Sequence, residues 1–538
     1  MPVVAFSSEQ LKGRRVYLLL EIDFGTFGHF RLSTEPLTVP GTGGGQFDGG
    51  LDGLTFTDSV DLFSTSESNR SVSVVAFLPV DVSALVARGF DPSRATASLS
   101  QWVDGTNYED RRRVLSSLEL RAPQYGESYE PFRFSIRSNL YDDGSVIPPI
   151  DATINLSTFP YAESWQLGHP YPWVFGTPGK TQNPITGLFG YNYDSVAYAV
   201  DIGAGGSQFF LVAGHEMTPN TTARVVVKGG GYTTINEQTV QTISDGLGRR
   251  VSVVPAGVLG GHPDFADGVE YLCTFSTGGG ILNDQQTEPR RGMGEIIEYL
   301  LDYAPRISMD RGRTRTAIER LNSYNLDAVI TEPVEVWRWI RSNLLPFAPV
   351  SMTTGPDGMY PIVWDKDYLE ADAVATVDAV HDQWERTSPV TVEHLDGEPR
   401  NDFAISYGLR MEDGKMRHRA TLSGADKESN AYARTSYQRY GKRTKPEEEA
   451  ISLYQTSDVD AVMQWWSRIY GFPIRSVEYT APIEWGWLEA GASIVFSDSR
   501  LNVSDQMAIV QAIEWSEEQI IGLRLVWVED LPRDDRAI

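Results

Sequence analysis

The stretch from Asn401 to Val528 constrains this 538-residue chain more than any other, because its hydrophobic period changes from two to helical and back again. Asn401-Asp402-Phe403-Ala404-Ile405-Ser406-Tyr407 alternates polar and apolar residues, as a strand buried on one face must. A polar stretch leads to Ser436-Tyr437-Gln438-Arg439-Tyr440-Gly441-Lys442-Arg443, where an aromatic pair meets a glycine that can turn the chain at positive φ. Ser457-Asp458-Val459-Asp460 then offers an N-cap followed by an acidic third helical position, which suits the free N–H groups at a helix start. Val462, Trp465, Trp466 and Ile469 make one apolar stripe, and Gly471 and Pro473 end the helix. Period two returns in strands predicted over Ile474–Thr480, Ala492–Ser497, Gln506–Trp515 and Gln519–Val528. Gly491, an Asp498–Asp505 turn and Ser516-Glu517-Glu518 separate them. The order predicts a barrel-like sheet flanked by one helix, with no recognisable reaction chemistry.

This arrangement resembles the C-terminal domain of the central hub proteins of bacteriophage baseplates and tail tips, the trimeric proteins that close the tail tube. The resemblance is carried by Asn401 through Tyr407, Tyr440-Gly441 with Arg443, the Ser457–Ile469 helix, and Leu488-Glu489-Ala490-Gly491-Ala492-Ser493-Ile494-Val495 running into Ser497-Asp498. Relatives often have Gly-Asp in the loop where this chain has Gly491-Ala492. These are patterns of strand and turn, so the likeness bears on architecture rather than on individual residue roles.

The middle of the chain agrees. Ile296, Leu300 and Tyr303, then Ala317, Leu321 and Tyr324, then Trp337, Ile340 and Leu344 predict three short helices, the last opening on Pro333 as its first helical position. Met352–Trp364 carries a Gly355-Pro356-Asp357-Gly358 turn between short apolar runs and reads as a β-hairpin. A helical insert followed by a hairpin also resembles the hub proteins, which extends the likeness from about Gly294 to the C-terminus. The N-terminal part is β-rich: Val16–Phe24 and Phe27–Ser33 flank Gly25-Thr26, and Ser71–Leu78, Ala95–Val103, Val114–Leu120 and Phe132–Ser138 are further strands, interrupted by a helix near Val82–Arg88. A second barrel-like domain there would fit the family, in which two related β-domains per subunit let a trimer mimic a sixfold tube. Between Asp151 and Glu288, strands at Ala197–Val200, Phe209–Val212, Ala223–Val227 and Tyr271–Phe275 indicate an inserted β-domain.

Charge narrows the partners. A net charge of −26 disfavours a surface that grips nucleic acid, since phosphate binding requires Lys and Arg to displace counterions. Acidic walls would suit a bore through which DNA must slide. Cys273 is the only cysteine, so no intramolecular disulfide is possible, and within Tyr271-Leu272-Cys273-Thr274-Phe275 it reads as a small core residue. No signal core begins the sequence and no apolar run of about 18 residues interrupts it, so secretion by signal peptide and membrane spanning are not expected.

Motifs for chemistry fail one by one. His215-Glu216-Met217-Thr218-Pro219 begins like a zinc-protease helix but places proline where the second histidine belongs. Gly176-Thr177-Pro178-Gly179-Lys180-Thr181 ends like a phosphate-binding loop, yet Val174 holds the place of the first glycine. The glycines of Gly41-Thr42-Gly43-Gly44-Gly45 and Gly49-Gly50 do not form a dinucleotide pattern and read as a loop. Asp365-Lys366-Asp367 and Asp142-Asp143-Gly144 lack the closing Glu of a calcium loop. Seven histidines are scattered singly. Trp485 and Trp487 could stack on sugars, although such residues more often fill a sheet face or an interface. Nothing selects a carboxylate pair for glycan hydrolysis among 72 acidic residues.

The expectation is therefore a mainly β (α+β), multidomain protein: two tail-tube-like β-barrel domains with an inserted β-domain and a small helical domain. Residues 1–150 form the N-terminal tube-like domain, 151–288 the inserted β-domain, 289–390 the helical insert with its hairpin, and 391–538 the C-terminal barrel. No enzyme activity is expected, and no catalytic, cofactor-binding or metal residue is nominated. The resemblance implies a homotrimeric hub at the distal end of a phage tail, assembled in the host cytoplasm. Its partners would be a distal tail protein or tube ring, the tape-measure protein and fibre or spike proteins, with DNA passing through the bore unbound and no stable membrane insertion. The alternative is a carbohydrate-binding or glycan-degrading receptor-binding protein acting through residues 151–288.

Overall fold

In the computed structural model, residues 14–528 are described, except 61, 63–68, 129, 138–143, 183–188, 203–207, 230–232, 257–268, 277–278, 305–308, 356–357, 364–372, 396, 428, 445–448, 452–455 and 516–519. The protein is mainly β and multidomain. Its dominant feature is a 14-stranded sheet that folds into two barrel-like units.

The N-terminal unit uses six main strands, Val16–Asp23, Leu51–Ser59, Asn69–Phe77, Thr96–Val103, Arg112–Gln124 and Pro131–Arg137, numbered first to sixth in chain order. Their order across the sheet is first, fourth, fifth, sixth, third, second, with His29–Leu32 outside the first. Alternation drives this curl: Leu20, Ile22, Leu54, Phe56, Val72, Val74, Leu99 and Ile136 all turn into one core. The chain nearly closes the sheet where the Ser33 N–H donates to the Asp48 carbonyl at 2.8 Å and the Leu51 N–H to the Ser33 carbonyl at 3.2 Å. The helix Val82–Ala87 follows the third strand, its start capped by Asp81, which accepts from the Ala84 N–H.

The C-terminal unit repeats that order. Its strands are Ala375–Asp378, the two short pieces Glu385–Arg386 and Thr391–Glu393, then Ile474–Pro482, Ser493–Asp498, Val503–Trp515 and Ile520–Val528. Counting the two pieces as the second strand, the sequence of neighbours is again first, fourth, fifth, sixth, third, second. One pairing differs in sense: first with fourth is antiparallel in the N-terminal unit and parallel in the C-terminal one. Trp384, Tyr479, Phe496 and Trp527 fill the interior, with Trp384 and Tyr479 ring centroids 5.7 Å apart.

A second core is mostly helical. The helices Met293–Tyr303, Arg311–Leu321 and Val336–Asn343 pack with the hairpin Val350–Gly355/Gly358–Val363. The third helix starts after Glu335, and Pro333 instead precedes a two-residue strand, Val334–Glu335, held by Val146–Ile147. Pro333 presets φ, but the strand pairing that follows it delays the helix.

Residues 402–469 depart from the sequence reading. Asp402–Leu409 does not join the C-terminal barrel; it pairs with Met416–Ser423 and Glu449–Ile451 in a sheet of its own. Two helices cover it, Ala431–Tyr440 and Thr456–Ile469. The first was hidden in the sequence because it buries only small residues, Ala433 and Ser436, and so lacks an apolar stripe. Gly441, at φ +70°, ends it. The second starts at Thr456, and Val459, Val462, Met463, Trp465, Trp466 and Ile469 are buried as the stripe predicts. Strands Ala375–Asp378 and Glu385–Arg386, on the N-terminal side of the boundary expected at 391, pair into the C-terminal sheet.

The region between 195 and 275 forms a seven-stranded antiparallel sheet. It is tied to the rest through a two-stranded pairing of Trp173–Phe175 with Ala328–Ile330. An ion pair, Asp194 with Arg417 at 2.5 Å, also ties the start of its central strand, Ser195–Asp201, to the 402–423 strands.

Candidate functional site: the joint between the barrels

The two barrel-like units meet strand to strand. The fifth strand of the C-terminal unit runs past its fourth-strand neighbour and pairs antiparallel with the second strand of the N-terminal unit: Ala512 with Ser59, Ile513 with Asp58, Glu514 with Thr57, Trp515 with Phe56. The Val60 N–H donates to the Gln511 carbonyl at 2.9 Å and extends this ladder. Phe56 and Trp515 pack ring to ring, centroids 4.5 Å apart, and each is 1% exposed. Burying each such side chain contributes on the order of 1.5–3 kcal/mol, so the joint is cemented as a core is.

Behind the ladder lies a buried charge cluster drawn from four parts of the chain. Glu489, in the loop before the fourth C-terminal strand, is bound by Arg112 of the N-terminal fifth strand at 2.8 Å and by Arg313 of the helical segment. Arg112 also donates to the Gly486 carbonyl at 2.6 Å and to Gln101 at 3.0 Å. Tyr360 of the hairpin donates to Glu489 at 3.5 Å, and the Ala490 N–H donates to the buried Asp58 at 3.2 Å. Burial works to lower the Arg313 pKa, but Glu489, Tyr360 and Asp310 overcome it and hold the guanidinium charged well beyond its ordinary value. Removing one partner of such a cluster strands the others, which is why it fixes the angle between barrels, helices and hairpin.

A cleft of about 810 Å³ opens between the inserted sheet and the helix Met293–Tyr303. Trp173, Tyr299 and Tyr303 line it, with the Trp173 and Tyr303 rings edge to face at 5.1 Å. Its carboxylates are engaged: Asp151 with Arg249, Glu216 with Arg250 at 2.6 Å, Asp284 with Arg290 at 2.5 Å, Asp302 with Arg311 at 2.8 Å. Glu298 has its pKa raised, by burial first and by neighbouring Asp302 second.

The motifs weighed in the sequence have structural roles where they are described. His215 accepts the Val174 N–H at Nε2, 3.2 Å, and its Nδ1 lies 2.9 Å from the Glu216 carbonyl; burial pushes its pKa down to about 4. In the loop of Gly176 and Gly179, the Thr177 N–H is taken by Asp327 at 2.7 Å, so a carboxylate occupies the place a phosphate would need. Cys273 is buried with its thiol pushed up to about 12, and its sulfur lies 3.2 Å from the Val196 carbonyl. Gly45 begins a three-residue strand paired with Leu37–Val39, which makes the glycine-rich segment a hairpin loop. Trp485 stacks on Trp487 and packs against Trp384 at 5.4 Å. Asp142, Asp143, Asp365, Lys366 and Asp367 lie outside the described residues, as does the Ser516-Glu517-Glu518 turn. Among the described residues, no three His, Cys, Asp or Glu side chains could hold a metal ion, and no helix is long and apolar enough to cross a membrane.

Sequence reasoning missed the second N-terminal strand, Leu51–Ser59, which is half of the joint. Its buried residues Leu54, Phe56 and Asp58 do alternate, but Gly53 and an inward-facing aspartate weaken the signal.

No family model and no curated protein matches the chain. Among solved structures, the chain is similar to a tail protein from Neisseria meningitidis MC58, at 8% identity and a TM-score of 0.39, covering 95% of this chain and 97% of that one. It is also similar to the 43 kDa tail protein of prophage MuSo2 from Shewanella oneidensis, at 10% identity, a TM-score of 0.35 and coverage of 95% and 98%. A third is prophage tail protein gp18 from Listeria monocytogenes EGD-e, at 9% identity, a TM-score of 0.25 and coverage of 63% and 95%. At these scores the likeness carries no functional argument.

Proposed function

We propose that this protein is a structural hub of a phage tail tip or baseplate, a homotrimer whose ring caps the tail tube, anchors fibres or a spike, and opens for DNA ejection. The observation that carries this reading is one strand order repeated in the two barrel-like units of a single sheet, which are joined strand to strand. A tube built on sixfold symmetry presents six similar positions at its end. A chain that offers two similar barrels in fixed relation fills those positions with three copies. The resemblance of the C-terminal residues to hub proteins supports the same reading.

In this role the relevant surfaces are broad. A distal tail protein or tube ring would meet one face, the tape-measure protein would end in the bore, and fibres or a spike would attach to the rim. DNA would pass without specific binding, which suits a net charge of −26. Size-exclusion chromatography with light scattering tests the assembly: a mass of three chains is expected, and a single-chain mass at every concentration would overturn the ring. A second reading has one observation in its favour, the aromatic-lined cleft beside the inserted sheet, which could seat a sugar. A glycan array with a reducing-end assay tests it; neither binding nor release would remove it.

A further inference from the structure

We infer that the cleft between the inserted sheet and the helix Met293–Tyr303 holds a linear, uncharged glycan laid along that helix, with Glu298, Tyr299 and Tyr303 as its contacts. This rests on the second reading above and gives it a ligand class and an orientation. The hub reading does not depend on it.

The helix sorts its residues by face. Ile296, Ile297, Leu300 and Leu301 are buried, whereas Glu298, Tyr299, Asp302 and Tyr303 line the cleft. What separates these four is how the protein satisfies them. The Arg311 guanidinium donates to both Asp302 oxygens at 2.8 Å and reaches Glu298 only at 3.8 Å. Among the described residues, no hydrogen bond reaches the Glu298 carboxylate or the Tyr299 and Tyr303 hydroxyls. Burial, then the nearby Asp302, raises the Glu298 pKa against the pull of Arg311, the mark of a carboxylate short of donors. Polar groups that line a cleft without protein partners are placed for a ligand that brings donors and acceptors of its own.

A sugar chain fits each of these features. Its hydroxyls donate to Glu298 and exchange hydrogen bonds with the two phenols. Tyr299 and Tyr303 stand one helical turn apart, about 5.4 Å, close to the length that one pyranose ring adds to a linear chain, so successive rings meet successive tyrosines. Arg290 lies over the Tyr299 ring at 5.0 Å and leaves Tyr299 its hydroxyl for contact. The half-buried Tyr303, edge to face with Trp173, presents ring as well as hydroxyl. Across the cleft Arg250, its side chain 65% exposed, has N–H groups beyond those given to Glu216. Charge sets the class. The lining holds five carboxylates against three guanidinium groups, and His215 is neutral with its pKa at about 4, so a chain carrying uronate or phosphate is repelled. The volume of about 810 Å³ lies within the roughly 300–1,000 Å³ of small-ligand clefts and suits a few sugar rings rather than a folded partner.

The test is isothermal titration calorimetry of the full-length protein with cellohexaose and N-acetylated chitohexaose, and with hexagalacturonate as their anionic counterpart. The inference predicts saturable binding of at least one uncharged hexamer and none of hexagalacturonate. It also predicts at least a tenfold loss of affinity in Glu298→Gln and in Tyr303→Ala, each with its far-ultraviolet circular dichroism unchanged. Tyr125→Ala, at an exposed tyrosine of the N-terminal barrel, keeps the unaltered affinity. Binding that both cleft variants retain would overturn this site and move the sugar elsewhere on the protein. Tighter binding of hexagalacturonate than of the uncharged hexamers would overturn the ligand class. Binding of none of the three would overturn this inference and the second reading together, and would leave the three-chain mass expected of a hub untouched.

Discussion

The ends of the two fifth strands teach more when set side by side than either does alone. In the C-terminal barrel, Ala512–Trp515 is paired with the N-terminal barrel and its tryptophan is sealed against Phe56. In the N-terminal barrel, the fifth strand ends at Gln124 and the tyrosine that follows, Tyr125, faces solvent. One strand order has been used twice, and each fifth strand bulges against its sixth, yet among the described residues only one end is paired with the other barrel. A tryptophan suits the permanent joint, since it buries the larger apolar surface. A tyrosine suits an exposed end, because its hydroxyl can remain hydrated.

This difference can be broken by substitution. Trp515→Ala should cost about 4 kcal/mol, the cost of emptying a packed aromatic site, and should lower the unfolding midpoint in denaturant with separation of the two barrels. Unchanged stability would show that the joint is incidental. Glu489→Ala should cost about 3 kcal/mol, because Arg112 and Arg313 are left buried without their shared carboxylate. Restoring part of that loss with Arg313→Met in the same chain would sharpen the assignment, and a failure to restore any would count against it.

The inserted sheet should fail on other terms than the barrels. The His215 pKa is held at about 4 in the folded protein, below its ordinary value, so the neutral ring is favoured by folding. Its contribution is fully present above about pH 6.5 and is lost as pH falls toward 4, amounting to about 2 kcal/mol by pH 5. His215→Gln should therefore flatten the pH dependence of melting between pH 6.5 and 4, as read by differential scanning calorimetry. A variant that retained the full slope would place the acid sensitivity elsewhere. The smallest effect on the isolated chain is expected for Tyr125→Ala, within about 0.5 kcal/mol in stability, as for an exposed side chain.

Much of the local structure could be read from the sequence. Period two marked the strands around Ile474, Ser493, Gln506 and Ile520, and the Val462, Trp465, Trp466, Ile469 stripe marked its helix. What failed had physical reasons. The helix Ala431–Tyr440 has no large apolar face, and Leu51–Ser59 turns an aspartate inward because the Ala490 N–H is there to meet it. The joint itself could not be read, since Arg112 and Glu489 lie 377 residues apart and nothing local to either announces the other. The repeat of strand order was equally invisible. It is kept in hydrogen-bond rungs, whereas the residues on those rungs differ.

The ring is tested most directly by cryo-electron microscopy of the purified protein or of the particle that carries it. The account predicts a threefold ring of six barrels around a bore, with the Trp515 joint linking the two barrels of each chain. Single chains at concentrations where a ring should form would contradict it.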